Sequence, residues 1–167
     1  MIEFRQIGID ELYKIRKIAC ETWPNTFGQV MPKEQIIYML ELIYNEESLK
    51  KQMLEKRHNF ILVERDTEAL GFTSYEINYN SGHQLMIHKI YLVPSTQGLG
   101  IGTKLLNLLS DIAINNKNDQ LRLKVFFQNS KAIGFYEKYG FKNVGTETTD
   151  IGNNYIILDN VMVKQLL

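Results

Sequence analysis

The stretch that most constrains this 167-residue chain runs from His83 to Lys117. A strand-like run, Gln84 to Val93, turns at Pro94-Ser95-Thr96 and passes through Gln97-Gly98-Leu99-Gly100-Ile101-Gly102-Thr103. Apolar residues then recur at Leu105, Leu106, Leu108, Leu109, Ile112 and Ala113, a spacing that predicts a helix. Strand, glycine-rich turn and helix in that order make an anion-binding device. The first free N–H groups of the helix point at the turn, and the aligned peptide dipoles favour negative charge there. Glycines permit positive φ and let a phosphate approach without a Cβ in the way. Two better-known phosphate loops do not match. A Walker loop ends in Gly-Lys-Ser/Thr, whereas Gly102-Thr103-Lys104 reverses that order. A dinucleotide fingerprint is spaced Gly-x-Gly-x-x-Gly, whereas Gly98, Gly100 and Gly102 alternate. Taken alone, the segment is equally compatible with a plain tight turn.

The flanking sequence gives this unit its setting. Ile2 to Ile7 alternates as a strand, and Asp10 offers an N-cap for a helix with apolar positions Leu12, Ile15, Ala19 and Cys20. Trp23-Pro24-Asn25 is expected to end that helix, because a residue before proline avoids the helical region. Pro32 opens a second helix, apolar nearly all round, which is the pattern of a buried helix or one covered by a partner subunit. Glu46 to Lys56 reads as a surface helix with Leu49, Met53 and Leu54 on one side. Phe60–Arg65 and Ala69–Ile77 flank Asp66-Thr67-Glu68 as a hairpin. After the central unit come a strand over Leu121–Phe127, a short helix over Ser130–Lys138 closed by Gly140, and an antiparallel pair, Phe141–Thr149 and Asn154–Lys164. No linker, repeat or low-complexity segment interrupts the chain, so one domain over residues 1–167 is expected.

Two motifs in this order carry a resemblance. Gln97-Gly98-Leu99-Gly100-Ile101-Gly102 matches Arg/Gln-x-x-Gly-x-Gly/Ala, and Asn129-Ser130-Lys131-Ala132-Ile133-Gly134-Phe135-Tyr136-Glu137-Lys138-Tyr139-Gly140-Phe141 matches Asn-x-x-Ala-x-x-Phe-Tyr-x-x-x-Gly-Phe. Together they resemble the GNAT N-acetyltransferases over most of the chain. The resemblance implies a three-layer α/β/α fold, with a mixed, largely antiparallel sheet and helices on both faces, and acetyl transfer from acetyl-CoA to an amine. It puts the cofactor diphosphate on the amides of Gly98, Leu99, Gly100, Ile101, Gly102 and Thr103, helped by the Gln97 side chain and the Thr103 hydroxyl. Gln97 is neutral where many relatives carry Arg, and Lys104 or Lys131 is expected to offset the missing charge. The backbone of Ile90, Tyr91 and Leu92 is expected to hold the pantetheine arm as a peptide adds to a sheet edge. The bulge that splays this strand from the next in the family leaves no mark in the sequence.

For protonation of the departing thiolate, Tyr136 occupies the position where many relatives use a tyrosine hydroxyl, with packing beside Phe135 as the alternative. Asn129 is expected to cap the following helix and to touch the cofactor. The proton acceptor departs from the family, since His88 stands where relatives carry Glu. Imidazole is a chemically sound base, but His88 is equally readable as a substrate-lining or structural residue. Strand alternation sets Lys89 and Tyr91 on the opposite face.

Acceptor recognition is expected in Glu21-Thr22-Trp23-Pro24-Asn25-Thr26-Phe27, where the acid Glu21 and the aromatics Trp23 and Phe27 suit an amine arriving as a cation; core packing of the two rings is the alternative. This segment, with Tyr38–Glu41 and Glu47–Lys51, is similar to PaiA-type spermidine/spermine acetyltransferases, so a polyamine is the acceptor to test. The resemblance leaves open a protein or peptide amine as acceptor, and a non-catalytic acyl-CoA-binding module.

Acids and bases balance at 19 each, which argues against a nucleic-acid partner. The single cysteine, Cys20, excludes an internal disulfide, fits a reducing cytoplasm and is expected as a small core side chain. No targeting segment or membrane span is evident, and no metal-ligand set is expected. The apolar second helix and the C-terminal strands suggest a homodimer.

Overall fold

Residues 1–167 are all described in the computed structural model. Seven strands and five α-helices form: β1 (Ile2–Gln6), α1 (Leu12–Phe27), α2 (Lys33–Tyr44), α3 (Glu46–Leu54), β2 (Asn59–Arg65), β3 (Glu68–Glu76), β4 (Gln84–Leu92), α4 (Ile101–Asn115), β5 (Gln120–Phe126), α5 (Ser130–Tyr139), β6 (Lys142–Gly152) and β7 (Tyr155–Gln165). The sheet order is β1-β2-β3-β4-β5-β7-β6. Strands β1/β2, β2/β3, β5/β7 and β6/β7 pair antiparallel, while β4/β5 is parallel, with α4 as the crossover that a parallel pair requires. The mixed α/β class read from the sequence is the class observed. No helix is long and apolar enough to cross a membrane.

The chain divides into two compact units, one of residues 1–76 with 88–105 and one of 77–87 with 106–167. Strand β4 and helix α4 each contribute to both. In the first unit, Phe60, Ile61, Leu62 and Val63 of β2 are all at most 4% exposed. Both faces of this strand are therefore covered, which is why its sequence is a continuous apolar run. The β2–β3 turn is made at Asp66 (φ 50) and Thr67 (φ 72), consecutive left-handed residues of the kind that close tight hairpins.

Several expectations for the N-terminal helices are corrected. Helix α1 does not stop at Trp23-Pro24 but continues to Phe27 with Pro24 inside it. An internal proline costs about 3 kcal/mol. Trp23 and Phe27, 3% and 4% exposed, each recover roughly 1.5–3 kcal/mol by burial, enough to hold the last turn. Asp10 is not the N-cap: a 3-10 turn over Ile9–Glu11 leads into α1 without a capping side chain, and Glu11 is held by Arg5 at 2.7 Å and Lys14 at 2.9 Å. Cys20 is exposed rather than in the core, because the buried stripe of α1 follows Ile15, Ile18, Ala19 and Thr22. Pro32 precedes α2 as its N-cap. Helix α2 is less uniformly covered than its composition suggests: Ile36 and Met39 are buried, but Ile37 is 57% and Leu42 42% exposed. On α3, Leu49 and Gln52 are buried while Leu54 is 69% exposed.

In the second unit, β5 buries alternate residues. The β6–β7 hairpin turns through left-handed Gly152, Asn153 and Asn154, and β6 is exposed along almost its whole length. Asn78, left-handed at φ 52, is locked to buried Asn118: its N–H donates to Asn118 Oδ1 at 2.9 Å and its Oδ1 accepts from Asn118 Nδ2 at 2.6 Å.

Candidate active site

The glycine turn after β4 takes the form the sequence implies. Val93 N donates to Leu70 O at 2.8 Å, a 3-10 turn covers Pro94–Thr96, and Gly98 and Gly100 adopt left-handed φ of 77° and 71°. A Cβ built on either would meet no heavy atom within 4 Å, so the space above both is open. The first bond of the α4 ladder runs from Lys104 N to Gly100 O at 3.1 Å. The amides of Gly100, Ile101, Gly102 and Thr103 thus precede the ladder and have no intrahelical acceptor. Ile101 is buried at 2% and anchors the helix start, while Gln97, Gly98, Gly100, Thr103 and Lys104 are exposed. Leu99 departs from expectation: its N–H is committed to Thr96 O at 3.2 Å, continuing the 3-10 turn, and is not available to an anion. Open left-handed glycines and successive uncommitted amides at a helix start fit a diphosphate.

The preceding residues, His88–Leu92, lie at the edge of the first unit's sheet, since the pairing of β4 with β5 covers only Gln84–Ile87. Ile90, Tyr91 and Leu92 are partly exposed there. The side chains of Tyr91 and Lys89 pack within the first unit. The Tyr91 ring joins an aromatic cluster with Trp23 at 5.7 Å, Phe72 at 5.9 Å and Phe27 at 6.3 Å. Lys89 Nζ donates to Gln52 Oε1 at 2.6 Å and lies 5.7 Å from the centre of the Phe60 ring. Burial, with a smaller contribution from Lys56, brings the Lys89 ammonium down to about 7.

His88 Nε2 is 3.0 Å from Glu76 Oε2, on β3. The other oxygen of that carboxylate is 3.5 Å from Arg57 Nη2. The His88 ring stacks on His58, with centroids 3.8 Å apart and planes 12° from parallel. His58 is 9% exposed, and its Nδ1 is buried without a hydrogen-bond partner. Burial first, then the charges of His88, Lys89 and Lys56, push the His58 imidazolium down to about 2, so this ring is neutral at any ordinary pH. His58, Glu76 and His88 offer ligand atoms within 4.8 Å of one another, close enough to be weighed as a cation site. The stacking opposes that use. Imidazole lone pairs lie in their ring planes, and two nearly parallel planes at this separation cannot both aim at one ion about 2 Å from each nitrogen.

Glu76 and His58 are the residues that sequence reasoning missed. His58 lies outside every motif, and Glu76 ends a strand whose register against β4 no local pattern encodes. The strand offered one signal, since Glu76 is the acid that closes the buried run Leu70–Tyr75.

In the second unit, Asn129 caps α5, its Oδ1 accepting from Ala132 N at 3.3 Å, and Gly140 closes the helix at φ 116. Lys131 is exposed. Tyr136 is 6% exposed, its ring tilted against Phe135 at 5.5 Å and edge-on to Phe141 at 5.6 Å, and burial raises its phenol well above the ordinary range. The hydroxyl therefore keeps its proton throughout the working pH range.

The acceptor-segment residues separate. Glu21 is exposed, whereas Trp23 and Phe27 sit in the core with ring centroids 4.8 Å apart, so the packing alternative describes the two aromatic side chains.

The profile of the Acetyltransferase (GNAT) family matches residues 12–141. The spermidine N(1)-acetyltransferase of Thermoplasma acidophilum is 29% identical over 153 residues, 89% of this chain and 93% of its own length. The crystal structure of PaiA N-acetyltransferase from Thermoplasma acidophilum, in complex with coenzyme A, is similar with a TM-score of 0.81 at 27% identity over 99% of each chain. The ribosomal-protein-S18-alanine N-acetyltransferase of Escherichia coli shares the fold, with a TM-score of 0.73 at 17% identity over 99% of this chain and 94% of that one. The glycine turn, the strand that feeds it and a family match spanning most of the sequence agree, and this chain belongs to the GNAT family of acetyltransferases.

Proposed function

We propose that this chain, acting as one catalytic domain over residues 1–167, transfers the acetyl group of acetyl-CoA to the primary amine of a small molecule, with polyamines as the acceptor class. The observation that carries the reading is the turn from Gln97 to Thr103, where open, left-handed Gly98 and Gly100 lead into uncommitted helix amides. The amides of Gly100, Ile101, Gly102 and Thr103, the Gln97 side chain and the Thr103 hydroxyl hold the diphosphate, with Lys104 as the nearest cation in sequence. The backbone of Ile90, Tyr91 and Leu92 holds the pantetheine arm. From their places in the second motif, Asn129 and Lys131 are assigned to the cofactor as well.

Acetyl-CoA supplies a thioester whose carbonyl carbon reacts with a neutral amine. His88 removes the proton that the amine must lose as its N–C bond forms. Tyr136, protonated at working pH, donates its hydroxyl hydrogen toward the departing sulfur as the C–S bond breaks. The polyamine class is supported by the Thermoplasma acidophilum relative named for spermidine, 29% identical over 153 residues, and by exposed Glu21, a carboxylate suited to a second ammonium group. The reading also places the protein in the cytoplasm and expects paired copies, supported by solvent-facing Ile37 and Leu42 on α2 and the exposed strand β6.

Purified protein with acetyl-CoA is expected to release coenzyme A faster with spermidine or spermine than with amino-acid or peptide amines. Equal rates across the amines remove the polyamine assignment. No saturable response to acetyl-CoA in a calorimetric titration removes the enzymatic reading itself.

A further inference from the structure

The family pattern puts a carboxylate on the central strand, and here an imidazole stands in its place. The structure supplies a carboxylate from the neighbouring strand instead. Glu76 Oε2 lies 3.0 Å from His88 Nε2, and both side chains are largely sheltered, at 13% and 19% exposure. An ionised carboxylate only accepts hydrogen bonds, so a neutral imidazole at this distance carries its hydrogen on Nε2 and its lone pair on Nδ1. The same pairing stabilises the imidazolium that forms when the ring takes up a proton. Two further contacts hold the arrangement. Arg57 Nη2, 3.5 Å from Glu76 Oε1, favours the ionised carboxylate, and the stacked His58 ring covers one face of His88 at 3.8 Å.

Resting on the assignment of His88 as proton acceptor, we propose that Glu76 is its positioning residue, fixing the Nε2–H tautomer and presenting Nδ1 to the acceptor amine. This is the division of labour seen wherever a base is oriented by a third group. Glu76 on β3 is the anion; His58, before β2, is neutral; Arg57 acts through Glu76; Lys89 and Lys56 are the nearby cations that also oppose a charge on His58. Glu76, 3.0 Å from Nε2, favours a proton on His88. Proton movement balances simply: the amine hydrogen passes to Nδ1, and the hydrogen on Nε2 remains shared with Glu76 until the base is reset by solvent.

The test compares the unmodified protein with Glu76→Gln and Glu76→Asp, each checked for folding by circular dichroism. Histidine nitrogen spectra read the tautomer and titration of His88 directly. Steady-state rates with acetyl-CoA and spermidine, or the best amine of the screen above, read its use. Glu76→Gln is expected to lose the uniform Nε2–H tautomer and to make His88 harder to protonate. The acid limb of kcat/KM should move with it, and kcat should fall about tenfold at little change in KM for acetyl-CoA. Glu76→Asp, which keeps the charge one methylene further back, should lie between. A tautomer and titration unchanged in Glu76→Gln overturn the positioning role even where His88→Gln abolishes turnover. Full turnover in His88→Gln instead removes the assignment of the base, and the proposal with it, whatever the spectra show.

Discussion

Replacing Gly71 by alanine tests the geometry of the strand proposed to hold the pantetheine arm. Gly71 lies on β3 opposite Val63 of β2, and β4 passes close to its other side. A Cβ at this position would stand 2.5 Å from the Tyr91 carbonyl oxygen, 2.5 Å from Leu92 Cδ2 and 3.0 Å from Leu92 Cα. Leu92 Cδ2 can swing away, but the other two atoms belong to or adjoin the backbone, and carbon approaches oxygen comfortably only at about 3.4 Å. The strands must therefore separate locally by nearly 1 Å. The ladder bond beside the contact, Val93 N to Leu70 O, is 2.8 Å long. Stretched by that amount it passes the limit of a hydrogen bond. Losing one such bond costs about 1 kcal/mol, and overpacking a filled site adds about 1–3 kcal/mol. The sum, about 2–4 kcal/mol, is expected as a lowered denaturation midpoint in urea at unchanged slope. In a thermal melt it corresponds to a fall of roughly 5–15 °C for a chain of this size. Affinity for coenzyme A should fall too, because Tyr91 and Leu92 are the residues displaced. The matched control is Gly134→Ala, mid-helix in α5 with nothing within 4 Å, which should gain up to about 1 kcal/mol. If Gly71→Ala is as stable as the parent to within about 0.5 kcal/mol, the close approach of the strands is not real.

Tyr136→Phe should lower kcat about 100-fold while leaving the calorimetric affinity for coenzyme A unchanged, since only a proton donor is removed; an unaltered kcat would reduce Tyr136 to a packing residue. Gly100→Asp meets no clash but sets a carboxylate over the proposed diphosphate site at a φ of 71°, so affinity for coenzyme A should weaken at least tenfold, and more than in Gly100→Asn, which carries the strain without the charge. Acid should expose His58. Unfolded, this residue takes up a proton near 6.5, whereas folded it resists to about 2, so the unfolded state binds more protons in that window and stability falls as pH drops through it. The loss attributable to His58 approaches 1.4 kcal/mol per pH unit, read as the difference in urea midpoints between parent and His58→Gln at pH 7, 6 and 5.

Legibility in the sequence followed the range of the interactions involved. The β2–β3 hairpin, the glycine turn, the Asn129 cap and the Gly140 closure are set by residues within a few positions of one another, and each formed where it was read. Errors arose where a local rule met a distant neighbour. Pro24 carries the usual signal to stop a helix, but the burial of Trp23 and Phe27 outweighs it. Cys20 lies one residue off the buried stripe that its apolar character suggested. Leu99 lost its amide to a turn bond whose acceptor, Thr96 O, depends on a 3-10 conformation that Pro94 permits without dictating.

By itself the sequence determined the family, the order of the elements and the glycine turn, because motif spacing, turn chemistry and hydrophobic period act over short stretches of chain. Only the tertiary structure decided what surrounds His88. Glu76 lies 12 residues away and His58 lies 30 away, and they meet His88 through strand register and chain entry into β2, which depend on how the strands of the first unit pack. The sequence places a histidine at a motif position, and the fold alone sets a carboxylate 3.0 Å from it.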